Sequence, residues 1–462
     1  MADKKFPAKK PVELFYDIRD GAFWFKHKSI FAPMKKAEIK TILRTMGYSE
    51  YDEIKVGIGK LPEIEVPFFE AMDKRMIHYA GSLGGHRQGI FTDAAGRSYL
   101  VPDEARGVWD DLPRKVVEPE FFCEFIKELL PGDQSLRACY WAAMALQSLR
   151  AGDFRPGQWL VLAGPPQCGK SLFQAIITQL LGGRAANPFR YMMGETQFNK
   201  DLISAEHWMI EDPPSTTDLR TRRMFGNNLK NCAFAQDFSV HQKGKDALFF
   251  PLFRRGSISV NDEPENLAVI PPLENSINDK LMLLQCQPVV KAFAPFRGDG
   301  MPNLKGFSSN GDMSRKRIGQ KITEEIPMIR AWLLKFFVNV PDAWRDNRCG
   351  VKAWHHPELE LELCSLSPEN RLLQLVDYAF FNDEPPWSAL TDRKAFDLEN
   401  ELLKKAPTQT AAIGRHLNWA GTYLGRLFKA GNQRVSKRVR GGVTLWTIEP
   451  PSIEEKQNGI TQ

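Results

Sequence analysis

Apolar positions recur at helical spacing through residues 118–149, where Phe121, Phe122, Phe125, Ile126 and Leu129 form one series and Trp141, Ala145 and Leu149 another. Pro131-Gly132 divides that stretch into two helices. The pattern then changes. Trp159-Leu160-Val161-Leu162 is a short, unbroken apolar run of the kind buried strands carry; a glycine-rich loop follows, and residues 172–181 read as a helix stopped by Gly182-Gly183. Further short runs, Trp208-Met209-Ile210, Ile258-Ser259-Val260 and Leu281-Met282-Leu283-Leu284, predict the remaining strands of a parallel sheet. The pattern therefore predicts an α/β core over about 151–295.

The flanks follow other rhythms. Before residue 115, short apolar runs such as Gly89-Ile90-Phe91 and Tyr99-Leu100-Val101 alternate with Gly and Asp turns, which predicts a small α/β or β-rich domain. Residues 297–317, rich in Gly, Ser, Asn and Met, read as a linker, with a helix over 324–337. Helices are predicted again at 369–380, 411–417 and 421–429, and the end, Gly441-Gly442-Val443-Thr444-Leu445-Trp446-Thr447-Ile448, alternates as a strand does. The expected organisation is an N-terminal domain (1–115), a helical collar (116–150), the core (151–295), a linker and helical segment (296–365) and a C-terminal domain (366–462).

Composition narrows the class. With 462 residues, 43% hydrophobic and 26% charged, the chain supports several packed cores and lies far from the signature of disorder. It has no apolar run near the roughly 20 residues that span a bilayer and no signal-peptide pattern, so a cytoplasmic location is expected. Its seven cysteines are scattered without Cys-x-x-Cys or zinc-type His spacing, which predicts neither disulfides nor a zinc site. His86 and the pair His355-His356 have no carboxylate or Cys partners at metal spacing and read as structural or surface residues.

Chemistry enters at Gly164-Pro165-Pro166-Gln167-Cys168-Gly169-Lys170-Ser171, a Gly-x-x-x-x-Gly-Lys-Ser phosphate loop set between a strand and a helix. Its backbone N–H groups, continuing to Leu172, wrap phosphates; Lys170 meets the β/γ oxygens of ATP, and the Ser171 hydroxyl holds Mg²⁺. Cys168 occupies a position that works through its backbone. About forty residues on, the apolar run ends in Glu211-Asp212. Glu211 is expected on the metal side, and Asp212 as the base that orients the attacking water. Asn261, ending another apolar run, is expected to sense the γ-phosphate or hold that water, although an Asn here also caps the turn before Asp262-Glu263-Pro264.

Together these three elements resemble the superfamily 3 helicases, compact AAA+ ring motors of viruses, phages and plasmids. The resemblance implies an AAA+ P-loop core, a homo-hexamer with ATP between subunits, and a lysine-bearing hairpin that grips single-stranded DNA in the ring channel. Val240-His241-Gln242-Lys243-Gly244-Lys245 occupies the hairpin position, so Lys243 and Lys245 carry that role over. Where the family supplies a trans-acting arginine, this chain reads Asn278-Asp279-Lys280-Leu281; Lys280 is the candidate, with Arg222, Arg223, Arg254 and Arg255 as rivals. The stretch from Tyr79 to Gly89 and the sequence Ser365-Leu366-Ser367-Pro368-Glu369 are similar to flanking regions of phage and plasmid primase-helicases. Residues 1–150 contain no Asp-x-Asp metal pair, so priming would fall to a separate primase or polymerase.

Charge concentrates at the C-terminus. No acidic residue lies between Glu401 and Glu449, a span containing Lys404, Lys405, Arg415, Arg426, Lys429, Arg434, Lys437, Arg438 and Arg440. Two helices, a basic stretch and a Gly-Gly strand resemble a winged helix-turn-helix, with Tyr423, Arg426, Lys429, Arg434, Lys437 and Arg438 expected on duplex DNA. The function these features imply is an ATP-dependent DNA helicase replicating a phage or mobile genetic element. The alternative is an origin-binding initiator that melts DNA without processive unwinding. A protein remodeller would carry an aromatic pore loop where Lys243-Gly244-Lys245 stands.

Overall fold

The computed structural model describes residues 12–93, 95–214, 219–235, 237–241, 244, 246–271, 273, 275–296, 311–413 and 418–452. Strands β1 (Leu14–Asp17), β2 (Ala22–His27) and β3 (Ile30–Met34) form an antiparallel meander. Helices α1 (Lys36–Thr45) and α2 (Val66–Lys74), separated by the hairpin of β4 (Glu53–Val56) and β5 (Gly59–Pro62), pack Ile39, Leu43, Phe68 and Ala71 around Leu14 and Phe25. Strand β6 (Met76–Ile77) joins β1 in parallel, and β7 (Tyr79–Ala80), β8 (Gly89–Thr92) and β9 (Ser98–Val101) form a small sheet in the order β7–β9–β8.

The two helices predicted from periodicity follow as α3 (Glu120–Leu129) and α4 (Asp133–Ala151). The core then alternates: β10 (Trp159–Ala163), α5 (Lys170–Leu180), β11 (Ala185–Ala186), α6 (Phe189–Met192), β12 (His207–Glu211), α7 (Leu219–Phe234), the antiparallel pair β13 (Asp237–Val240) and β14 (Leu248–Pro251), then β15 (Arg255–Val260). Short helices α8 (Pro264–Leu267) and α9 (Asn275–Asn278) precede β16 (Leu281–Gln285). The sheet runs β11–β12–β15–β10–β16 with every pairing parallel. Strand β10 therefore lies between β15 and β16, and the acidic strand β12 is one strand further out. Strands β10, β15 and β16 are buried along nearly their full length, which is why they read as short apolar runs.

A polar thread ties this sheet to α5. The Gln174 side-chain amide donates to the Ile210 carbonyl (3.2 Å) and to Ser257 Oγ (2.9 Å). His207, fully buried, hydrogen-bonds Ser257 through Nε2 (2.8 Å) and Thr178 through Nδ1 (2.7 Å); burial pushes its pKa down to about 3, so the ring stays neutral.

Helix α10 (Gly311–Phe336) corrects one expectation: helix already occupies residues 311–317, which the composition assigned to a linker. Ile318, Ile322, Ile326, Ile329 and Leu333 recur on one buried face against α3 and α4, and that packing overrides the local Gly and Ser content. The paired strands β17 (Arg345–Asp346) and β18 (Gly350–Val351) end this part of the chain.

The chain divides into two compact units: Met1–Pro213 with Asn227–Val260 and Asp279–Trp354, and Pro214–Gly226 with Asn261–Asn278 and His355–Gln462. The second contains α11 (Pro357–Ser365), α12 (Pro368–Phe380), β19 (Leu390–Arg393), α13 (Ala395–Lys405), α14 (Pro407–Ile413), α15 (Trp419–Lys429), β20 (Val435–Arg440) and β21 (Val443–Ile448). Its sheet runs β19–β21–β20, and helices α12, α13 and α15 close over Trp446 and Ile448. Strands β20 and β21 form an antiparallel hairpin.

Candidate nucleotide and nucleic-acid sites

The phosphate loop begins where β10 is gripped from both sides. Gly164 N donates to the Val260 carbonyl of β15 (3.3 Å), and Cys286 N, just after β16, donates to the Ala163 carbonyl (2.6 Å). A Cβ at Gly164 would press into the backbone of Cys286, so only glycine fits. Gln167 (φ 64°) and Gly169 (φ 121°) turn the loop through the left-handed region into α5. Lys170 is only 6% exposed, and its ammonium donates to the carbonyls of Gly164 (2.6 Å) and Pro165 (2.9 Å). The loop thus folds over its own lysine. Cys168 is buried with its sulfur 4.0 Å from that ammonium. Ser171 is exposed in the first turn of α5, where free N–H groups and the helix dipole favour anions.

Sheet register brings the acids to the same edge. Leu162, Ser259 and Glu211 lie in one row across β10, β15 and β12. Glu211 ends its strand exposed. Asp212 follows at φ 36°, its backbone N donating to the Ser259 carbonyl (3.1 Å) and its side chain exposed. The hydroxyl of Ser171 and the carboxylate of Glu211 are hard oxygen donors, the set Mg²⁺ takes while keeping several waters. Asn261 directly follows Val260 and opens the middle segment, Asn261–Asn278, of the second unit.

The candidates for a trans-acting cation fare differently. The Lys280 ammonium pairs with Asp279 and lies 4.3 Å from the Phe234 ring centroid, with the side chain 13% exposed. Lys280 is thus a partnered lysine at the head of β16, next in sequence to the carboxylate that pairs with it. Arg254 is buried and donates to the carbonyls of Cys232, Ala235 and Leu252. Arg255 donates to those of Arg155 and Arg254, and burial lowers its pKa to about 10. Arg222 is 1% exposed. The Arg223 side chain lies outside the described residues.

Between the acidic strand and β15 stands the hairpin β13–β14, in the position the sequence assigned to a DNA grip. Lys243 and Lys245 lie outside the described residues, but the root is well defined. Phe238 stacks edge-on against Trp208 of β12 (5.2 Å between centroids), and the Arg254 guanidinium sits over both rings. Asn199, fully buried, clasps the outer edge. Its side-chain amide donates to the Ser239 carbonyl (2.8 Å), its Oδ1 accepts from His241 N (2.8 Å), and its own N donates to the His241 carbonyl (3.3 Å). On the other leg, Arg19 donates to the Asp246 carbonyl (2.6 Å). Sequence reasoning missed Asn199, because a lone loop asparagine carries no pattern. Asn199→Ala should destabilise the root by about 2 kcal/mol, through lost bonds and buried groups left unmade. The check is faster amide exchange in 237–241 and 248–251, and unaltered exchange there would refute the clasp.

The glycine-rich stretch before the core fastens this root. Gly84 has no room for a Cβ between the carbonyls of Phe253 and Ala205, and Gly85 N donates to the buried Glu206 carboxylate (2.9 Å), which Arg184 also holds. The His86 ring donates to the Pro251 carbonyl (2.8 Å) between Phe91 and Phe154, and burial lowers its pKa. Its role is structural.

In the C-terminal domain the charge pattern is rearranged by folding. Asp377 of α12 binds Arg434 bidentately, Glu369 pairs with Arg426 (2.8 Å), and Asp392 pairs with Arg438. Lys437 lies over the Phe428 ring (4.8 Å). Tyr423 is 1% exposed within the domain core, which corrects its placement on a DNA-facing groove. The outward positions of α15 include Thr422, Arg426 and Lys429. Among the described residues no cluster of three or more His, Cys, Asp or Glu could hold a metal, and no helix is long and apolar enough to cross a membrane.

No protein-family model and no curated protein matches the sequence. Among solved structures, the apo structure of the NrS-1 C terminal region matches with a TM-score of 0.54 and 13% identity, covering 95% of this chain and 96% of that one. "SCCmec type IV Cch - active helicase" aligns with a TM-score of 0.42 at 10% identity over 98% and 94% of the two chains. A JCV helicase structure gives 0.29 at 15% identity over 56% and 62%. The likeness to the NrS-1 C terminal region is one of fold: a mixed α/β chain whose core is a five-stranded parallel sheet with the Gly164–Ser171 loop at its edge.

Proposed function

We propose that the chain is an ATP-driven DNA helicase of superfamily 3 type, acting as a homo-hexamer in the replication of a phage or mobile genetic element. The observation that carries this reading is β12. Its last residue is Glu211, on the same row as the strand that opens the phosphate loop, and three residues earlier Trp208 packs against the hairpin root. Nucleotide chemistry and the candidate DNA grip therefore share one rigid strand.

In this reading 151–295 is the motor and 366–462 the duplex-binding domain. The Lys170 ammonium exchanges the Gly164 and Pro165 carbonyls for the β/γ oxygens of ATP. Ser171 and Glu211 hold Mg²⁺, which neutralises charge on the phosphates when bound. Asp212 orients water for attack, Asn261 reports on the γ-phosphate, and Lys243 and Lys245 grip the strand. The Trp208–Phe238 contact and the Arg254 bracket supply the mechanical link.

Strand displacement of a forked duplex with ATP tests this. Wild type should unwind, and Lys243→Ala/Lys245→Ala should lose unwinding while keeping ATP hydrolysis. Full unwinding by that variant would sink the hairpin assignment, and DNA-stimulated hydrolysis without any unwinding by wild type would favour the origin-melting initiator.

A further inference from the structure

Gln174 lies one turn after Lys170 in α5, fully buried, and belongs with Thr178, His207, Ile210 and Ser257 to the first unit. Counting protons fixes how these groups bond. The Thr178 hydroxyl donates to the Gln174 carbonyl (3.0 Å), which spends its one hydrogen, so His207 Nδ1 donates to Thr178. Burial keeps the ring neutral, which leaves Nε2 bare to accept from the Ser257 hydroxyl. Ser257 Oγ, its hydrogen also spent, accepts from the Gln174 amide. The second hydrogen of that amide goes to the carbonyl of Ile210, one residue before Glu211. We propose that Gln174 is a positioning residue: it braces the end of the acidic strand β12 against the helix that carries Lys170 and Ser171, so that the two candidate Mg²⁺ donors, Ser171 and Glu211, keep a fixed separation. The inference rests on the ATP-motor reading and adds to it a residue outside both the phosphate loop and the acidic pair.

Two observations separate this role from filling space. Gln174 Oε1 is buried with no hydrogen-bond partner among the described residues. An apolar side chain of similar volume would occupy the place without stranding that oxygen, so volume does not account for the amide. The second observation is connectivity. Sheet pairing ties β12 to β15, with Glu211 opposite Ser259, but does not tie it to α5. Side-chain bonds from α5 reach β12 at Ile210, from Gln174, and at His207, from Thr178. Of the two, the Gln174 bond lies beside Glu211, and Ser171 is three residues before Gln174, within one helical turn. Donors carried on two separate elements need such a brace, and hydrogen bonds behind metal ligands typically change metal affinity or activity by about 10–100-fold.

The test uses the full chain and two variants. Gln174→Met keeps the volume and removes both donated bonds, whereas Ser257→Ala removes the bonds to Gln174 and His207 and leaves Ile210 held. Binding of a fluorescent ATP analogue is titrated in EDTA and in Mg²⁺, beside steady-state hydrolysis and a thermal melt. In Gln174→Met, affinity in EDTA should equal that of wild type, because the phosphate loop is untouched. The gain in affinity on adding Mg²⁺ should fall roughly tenfold, and the Mg²⁺ needed for half-maximal hydrolysis should rise by about 10–100-fold. Ser257→Ala should lower the melt and keep the wild-type Mg²⁺ response. A wild-type Mg²⁺ response in Gln174→Met, or an equal loss of it in Ser257→Ala, overturns the positioning role and leaves the motor standing. The Ser257→Ala arm decides the matter even where Gln174→Met melts below the assay temperature. If wild type neither binds nor hydrolyses ATP, the motor reading fails and the positioning role falls with it.

Discussion

Lys170→Ala should reduce ATP hydrolysis by roughly 10²–10³-fold, the usual cost of removing one preorganised cation or donor from developing phosphoryl charge. The geometry separates that loss from misfolding. The ammonium makes its bonds to the carbonyls of Gly164 and Pro165, within its own loop, while strands β15 and β16 hold the loop's start through Val260 and Cys286. Deleting the amine therefore costs about 1–2 kcal/mol in local hydrogen bonding and leaves the sheet intact. Lys170→Arg should fail to recover activity, because a planar fork does not fit a pocket that buries a point charge to 6% exposure. Phosphate release measures the first effect and a thermal melt the second. Hydrolysis at wild-type rate in Lys170→Ala would remove this loop from the chemistry.

Much of the α/β core was legible because its signals are local. A buried parallel strand must be apolar throughout, and a phosphate loop must be glycine-rich between a strand and a helix, so β10, α5, β12, β15 and β16 each announce themselves over a few residues. What depends on distant partners was hidden. The run from Glu401 to Glu449 looks uncompensated only in one dimension, since Glu369, Asp377 and Asp392 fold back onto Arg426, Arg434 and Arg438. The Phe234 ring beside the Lys280 ammonium, from a helix some forty-five residues earlier, was likewise out of sight. Tyr423 is different, because its burial was readable: Trp419, Ala420, Tyr423, Leu424 and Leu427 recur at helical spacing, which puts Tyr423 on the inward face. Asn199 had no such signal, since its role comes from a hairpin edge some forty residues away.

The pairing of Arg434 with Asp377 gives a second large effect and separates two roles for one residue. Both terminal nitrogens of Arg434 engage the carboxylate, its Nε donates to the Glu449 carbonyl (3.0 Å), and the two side chains are 16% and 22% exposed. A mostly desolvated, bidentate pair that ties α12 to the start of β20 is costly to break from one side, because the remaining charge stays buried without its partner. Arg434→Ala and Asp377→Ala should each destabilise the C-terminal domain by about 2–3 kcal/mol, a little below the fully buried case because both side chains keep some water. The double variant should cost clearly less than the sum, since the second deletion removes the stranded charge. If Arg434 instead served DNA directly, Asp377→Ala would free its guanidinium and tighten duplex binding, while Arg434→Ala would weaken it with the melt unchanged. Amide exchange across 368–380 and 435–448, read beside duplex affinity, discriminates the two. Normal exchange with lost affinity in Arg434→Ala would return this arginine to the DNA surface.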